Sequence, residues 1–143
     1  MKWAALITWV GTAGLGFIML TIWLSRGGMK RTLPGAKIRP VLILSHFLLA
    51  ATGLVIWIAY LVKGKDALAW IAFAILAVVA LLGWTMFLGW YRQPQSGEVA
   101  VETVDAGMAP ERHFPIAVVA LHGVLAVTTV VLVLLTAIGV GGS

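Results

Sequence analysis

The sequence predicts an all-α integral membrane protein: a four-helix bundle running up-down-up-down, built from a duplicated two-helix hairpin. Three observations predict it. Of 143 residues, 62% are hydrophobic and only 10% charged, against about 45–50% and 25% in a soluble domain. Four apolar stretches each approach the roughly 20 residues that cross a bilayer. Motifs in the first two stretches then recur, in the same order, in the last two. With a mean hydropathy of +1.05, the chain is too apolar for a soluble globular domain or a disordered segment.

The spans are expected at about residues 3–24, 41–62, 69–91 and 114–140, within one transmembrane domain covering 1–143. None of these stretches contains Asp, Glu, Lys or Arg. A lipid-embedded segment of this kind must be helical, because each backbone polar group needs an internal partner. The first span has the look of a signal peptide, but its pattern returns later in the chain, which argues for a permanent helix.

The loops set the orientation. Segment 25–40 holds Arg26, Lys30, Arg31, Lys37 and Arg39, and segment 92–113 holds Arg92 and Arg112. Lys2, Lys63 and Lys65 lie on the other side. The positive-inside rule makes the first side cytoplasmic and both termini external, in a bacterial inner membrane. The net charge of +5 therefore reads as a topology signal, with no nucleic-acid partner indicated. Segment 92–113, with Gln93, Pro94, Gln95, Ser96, Gly97 and four acids, reads as a polar, mobile connector. A partner-docking loop is the other reading.

The repeat is carried by scarce residue types. Gly16-Phe17-Ile18-Met19 followed by Trp23 parallels Gly83-Trp84-Thr85-Met86 followed by Trp90. His46-Phe47-Leu48-Leu49-Ala50-Ala51-Thr52 after Pro40 parallels His122-Gly123-Val124-Leu125-Ala126-Val127-Thr128 after Pro115. The repeats cover about residues 1–62 and 69–140. Both halves enter the membrane in the same sense, so an axis along the membrane normal relates them.

The chemistry rests on His46 and His122, because intramembrane ionisable residues are rare and usually face the bundle interior. At 1.5 Å per residue, His46 lies roughly 9 Å beyond Pro40 and His122 roughly 12 Å beyond Phe114. Spans two and four are diagonal in an up-down bundle. Their imidazoles are therefore candidate axial ligands of one haem b iron. Gly16 and Gly83 fall near the same depth and would leave room for a flat macrocycle. Lys37, Arg39, Arg112 and His113 lie on the cytoplasmic side, where cations would offset haem propionates. Ordinary positive-inside residues are an equally available explanation for those four.

Three other readings stay open. The histidines are interhelical hydrogen-bonding groups with no cofactor. They bind copper(I) together with Met19 and Met86, although diagonal helices look too far apart for ligands at about 2 Å. Or they relay protons, for which no intramembrane acid is at hand.

Trp3, Trp23, Trp70, Trp90 and Tyr91 lie near span ends and read as an interfacial aromatic belt. Trp84, beside Gly83, is placed against either cofactor or lipid. The absence of cysteine excludes disulfides, thiolate metal sites and thiol nucleophiles. No carboxylate pair, serine triad or phosphate loop indicates catalysis. Gly11-Thr12-Ala13-Gly14-Leu15-Gly16 lies inside a span and lacks the flanking strand and acid of a nucleotide loop.

A four-span chain with His46 on span two and His122 on span four resembles the small bis-histidine b-type cytochromes of bacterial membranes. Those belong to the broader di-haem cytochrome b group. The resemblance implies one-electron transfer between a quinone pool and a partner redox protein. Two-haem members use more intramembrane histidines than this chain has, so one haem is expected. The contrasting expectation is a cofactor-free accessory subunit of a homo-oligomer or larger membrane complex.

Overall fold

The computed structural model describes residues 1–30, 38–92 and 109–140. Four long helices form: α1 Lys2–Ser25, α2 Pro40–Lys63, α3 Asp66–Tyr91 and α4 Ile116–Ala137. A 3₁₀ turn, Pro110–His113, precedes α4. The shortest helix has 22 residues, about 33 Å at 1.5 Å per residue, enough for a hydrocarbon core of about 30 Å. All four are apolar enough to cross a membrane. Their outer faces carry exposed Ile7, Val62, Leu81 and Ile116. This is a membrane protein whose exposed apolar surface suits lipid.

Local chemistry sets the ends. Pro40 opens α2, where its missing N–H and fixed φ cost nothing. Pro115 is the N-cap of α4, so that helix starts two residues later than the apolar run does. Asp66 extends α3 toward its N-terminus, where a carboxylate meets the positive end of the helix dipole. Gly27 ends α1 at φ 80°, and the N–H of Gly28 returns to the Trp23 carbonyl at 2.9 Å. That is a Schellman closure, which needs a left-handed residue. Gly64, at φ 64°, closes α2 with its own N–H on the Tyr60 carbonyl at 2.8 Å, leaving Gly64 and Lys65 as the whole α2–α3 turn.

The packing makes a closed ring. α1 packs most extensively on α4, and α2 on α3; α3 meets α4 less closely, and α1 touches α2 only sparsely. α2 and α4 are thus diagonal. The α2–α3 turn, the start of α1 and the end of α4 lie at one end, which we call the terminal end. At the other, the connector end, Glu111 accepts a hydrogen bond from Ile38 N–H at 3.3 Å.

The core sits toward the terminal end, in a cluster of Ala5, Trp9, Trp57, Ala69, Ala72, Leu76, Val79 and Val133. A second buried layer caps the connector end: Trp23, Ile38, Trp90, Ala109, Pro110 and Glu111. Two expectations change here. Trp23 and Trp90 are buried rather than interfacial, while Trp3, Trp70 and Tyr91 are exposed. Trp23 lies under Gly28, whose missing Cβ admits the indole. The segment read as a polar, mobile connector buries its final part, because the 3₁₀ turn packs over the bundle end against α1. Its residues 93–108 lie outside the described residues.

Between these two layers none of the described residues is buried. On α1 the interval runs from Trp9 to Trp23, on α2 from before its start to Gly53. On α3 it runs from Val79 to Trp90, and on α4 from its start to Thr129. Over this depth the helices meet through half-buried side chains, among them the contacts of Gly16 with His122 and of Gly83 with His46.

Candidate functional site

His46 and His122 lie between the two buried layers. Each is the seventh residue of its helix, in line with the nearly equal depth expected from the sequence. Their ring centroids are 6.4 Å apart and their planes inclined at 50°. Both side chains are half-buried.

Each imidazole is held by the neighbouring helix in the same way. His46 Nδ1 lies 3.1 Å from the Val79 carbonyl on α3, and His122 Nδ1 lies 2.9 Å from the Thr12 carbonyl on α1. A carbonyl only accepts, so Nδ1 carries the proton in both rings. The neutral ring then presents its lone pair on Nε2. A histidine ligand is commonly oriented by such a bond from its other nitrogen.

Gly83 stands one turn after Val79, and Gly16 one turn after Thr12. A Cβ on Gly83 would lie 3.2 Å from His46 Cε1, and one on Gly16 would lie 3.2 Å from His122 Cε1. The glycines thus bring each imidazole against a helix backbone, close enough to bond its carbonyl. Their contact is with the histidine rings themselves. The two halves of the chain build this cradle identically.

The halves differ one level nearer the terminal end. Thr129 Oγ1 donates to Thr8 Oγ1 at 3.0 Å, joining α4 to α1. The equivalent position to Thr129 is Gly53, where a Cβ would sit 3.0 Å from the Trp9 ring and 3.2 Å from Ile75.

The remaining candidates are distributed as follows. Met19 and Met86 are half-buried, nearly a turn closer to the connector end than the glycines. Arg39 is exposed as the N-cap residue of α2, and Arg112 and His113 are half-buried in the 3₁₀ turn. All three lie at the connector end. Lys37 lies outside the described residues. Trp84 is exposed and packs on Phe87 of its own helix at 5.5 Å.

Sequence reasoning missed Thr12, Val79 and Glu111. The first two act through backbone carbonyls, which carry no residue signature; their only signal is a place four residues before a glycine at histidine depth. Glu111 is fully buried inside a segment whose composition is that of a solvated loop.

Chemically, the site offers two lone-pair nitrogens. Two imidazoles sharing one metal at ~2.0 Å per nitrogen have ring centroids roughly 6 Å apart. The observed separation meets that requirement, so helix distance does not separate a haem iron from a bare ion. Among the described residues no group of three or more His, Asp or Glu is arranged for a metal ion. Searched against protein families, curated proteins and solved structures, the chain matches none of them.

Proposed function

We propose that this protein is a membrane b-type cytochrome that holds one haem between His46 and His122 and transfers single electrons near the cytoplasmic face. The observation that carries the reading is the imidazole pair. Two rings from diagonal helices come to 6.4 Å, each with Nδ1 committed to a carbonyl.

The donor set suits haem better than a bare ion. His46 and His122 would complete the iron's donor set, the remaining donors coming from the haem itself. A bare ion held by two imidazoles needs further protein donors. When bound, haem supplies a one-electron couple at its iron. The rest is the work of this chain. His46 and His122 bind through Nε2. The Val79 and Thr12 carbonyls fix the ring rotation and raise the basicity of Nε2. Gly83 and Gly16 admit the rings to those carbonyls. Arg39, Arg112 and His113 offset propionate charge at the connector end. The unequal lysine and arginine content of the two ends supports a cytoplasmic connector end.

The test is an absorption spectrum of the detergent-purified protein, oxidised and then dithionite-reduced. A Soret band with sharp reduced α and β bands is expected. A featureless spectrum from cells with ample haem supply rejects the reading.

One observation favours a second function, a cofactor-free accessory subunit. The two Nδ1 bonds already join α2 to α3 and α4 to α1, a sufficient use for an intramembrane histidine. The same spectrum separates the two.

A further inference from the structure

The layer that holds the two imidazoles is walled by four helix–helix seams, and they are unequal. The α1–α4 and α2–α3 seams are the extensively packed ones. Each also carries a histidine–carbonyl bond. Parting either would release an imidazole from its cradle. The other two seams, α1–α2 and α3–α4, carry no such bond.

Those two differ from each other. α3 and α4 pack moderately closely, whereas α1 and α2 touch only sparsely. At histidine depth the sparse seam is bridged by two aromatic rings. Phe17 meets Phe47 edge to face, with centroids 5.6 Å apart and planes at 79°. Phe17 follows Gly16, the cradle of His122, and Phe47 follows His46. The pair therefore lies beside the imidazoles, and Phe17 is 56% exposed on the lipid side. On the α3–α4 seam the repeat places Trp84 and Gly123 at the equivalent positions. There Trp84 turns to Phe87, and Gly123 would have nothing within 4 Å of an added Cβ. No aromatic bridge spans that seam.

We propose that the α1–α2 seam is the lateral entrance to the imidazole layer, and that Phe17 and Phe47 set how fast a planar apolar macrocycle enters from the bilayer and leaves. This rests on the haem reading above. The ligand class follows from the surroundings. Two flat rings in edge contact, facing lipid, part for a flat apolar molecule and close behind it. Small hydrated ions gain nothing from that route.

The test uses the full-length protein in detergent, loaded with haemin, and follows Soret loss to an excess of a soluble haem scavenger. Phe17→Leu and Phe47→Leu are expected to speed the loss about five- to tenfold, the worth of one edge-to-face pair, with the α-band position retained. Phe47→Trp, which enlarges the bridge, is expected to slow both uptake and loss, an outcome that misfolding does not produce. Trp84→Leu on the opposite seam is expected to leave the rate unchanged. Unaltered rates in all three phenylalanine variants, or equal acceleration by Trp84→Leu, overturn the entrance while leaving the haem site standing. A wild-type protein that takes up no haemin overturns both.

Discussion

The rings of His46 and His122 stand 6.4 Å apart although their helices are diagonal, and each is anchored to a carbonyl of a neighbouring helix. Coordination by two axial ligands requires both rings. His46→Ala and His122→Ala are therefore each expected to abolish the low-spin α band. The carbonyls left behind belong to helices, so the stability change is small, about 0.6 kcal/mol per interhelical bond. The pair of measurements is decisive: reduced spectra and thermal unfolding of both variants. An intact α band in either variant contradicts two-histidine ligation.

The glycine cradles give a prediction in which two effects oppose. Replacing a helical glycine by alanine commonly stabilises a helix by about 0.5–1 kcal/mol. Gly14 has open space around an added Cβ, so Gly14→Ala is expected to show that gain. At Gly16 and Gly83 the new methyl would lie 3.2 Å from an imidazole carbon, and the ring must shift by a few tenths of an ångström. That shift strains the Nδ1–carbonyl bond. Gly16→Ala and Gly83→Ala are expected to weaken haem binding about 10–100-fold, as loss of a ligand's orienting partner does. Haemin titration of the three variants measures it. Equal affinities across the set refute the cradle.

The bundle itself was legible in the sequence because membrane solvation is a severe constraint. A charge-free run of about 20 residues has few structures open to it. The histidines were legible for the same reason: an ionisable group in such a run stands out. What the run could not disclose was contact. Gly16 and Gly83 read as space for a macrocycle, yet the structure sets them against His122 and His46. Choosing between a ring and a cofactor needs side-chain positions. Trp23 and Trp90 read as interfacial because aromatic residues near span ends usually are. A glycine closure beyond the span covers Trp23. Pro115 moves the start of α4 two residues past the start of the apolar run, a detail that hydropathy alone cannot resolve.

Orientation is testable through the absence of cysteine, since any introduced thiol is unique. Lys65 lies in the α2–α3 turn at the terminal end, and Arg92 ends α3 at the connector end. Lys65→Cys is expected to react with an impermeant maleimide added to intact spheroplasts. Arg92→Cys is expected to react only after lysis. The reverse pattern would place the basic connector end outside and remove the basis for electron transfer at the cytoplasmic face.

Glu111 links the approaches to both histidine helices. Its carboxylate is buried and accepts the N–H of Ile38. Ile38 lies just before α2, and Glu111 lies in the 3₁₀ turn just before α4. One hydrogen bond thus ties together the starting ends of the two diagonal helices, each about two turns or more from its imidazole. Holding those ends is expected to help set how far the rings stand apart. Glu111→Ala leaves the Ile38 N–H without its acceptor in a buried site, at an expected cost of about 1–3 kcal/mol. Glu111→Gln keeps a side-chain oxygen for that N–H and is expected to retain most of the stability. Because the tether also sets ring spacing, Glu111→Ala should lose haem to a scavenger faster than Glu111→Gln at matched temperature. Thermal unfolding and haem-transfer rates of the two variants make the check. Wild-type values for Glu111→Ala in both would show that the separation of His46 and His122 is set by the α1–α4 and α2–α3 packing alone.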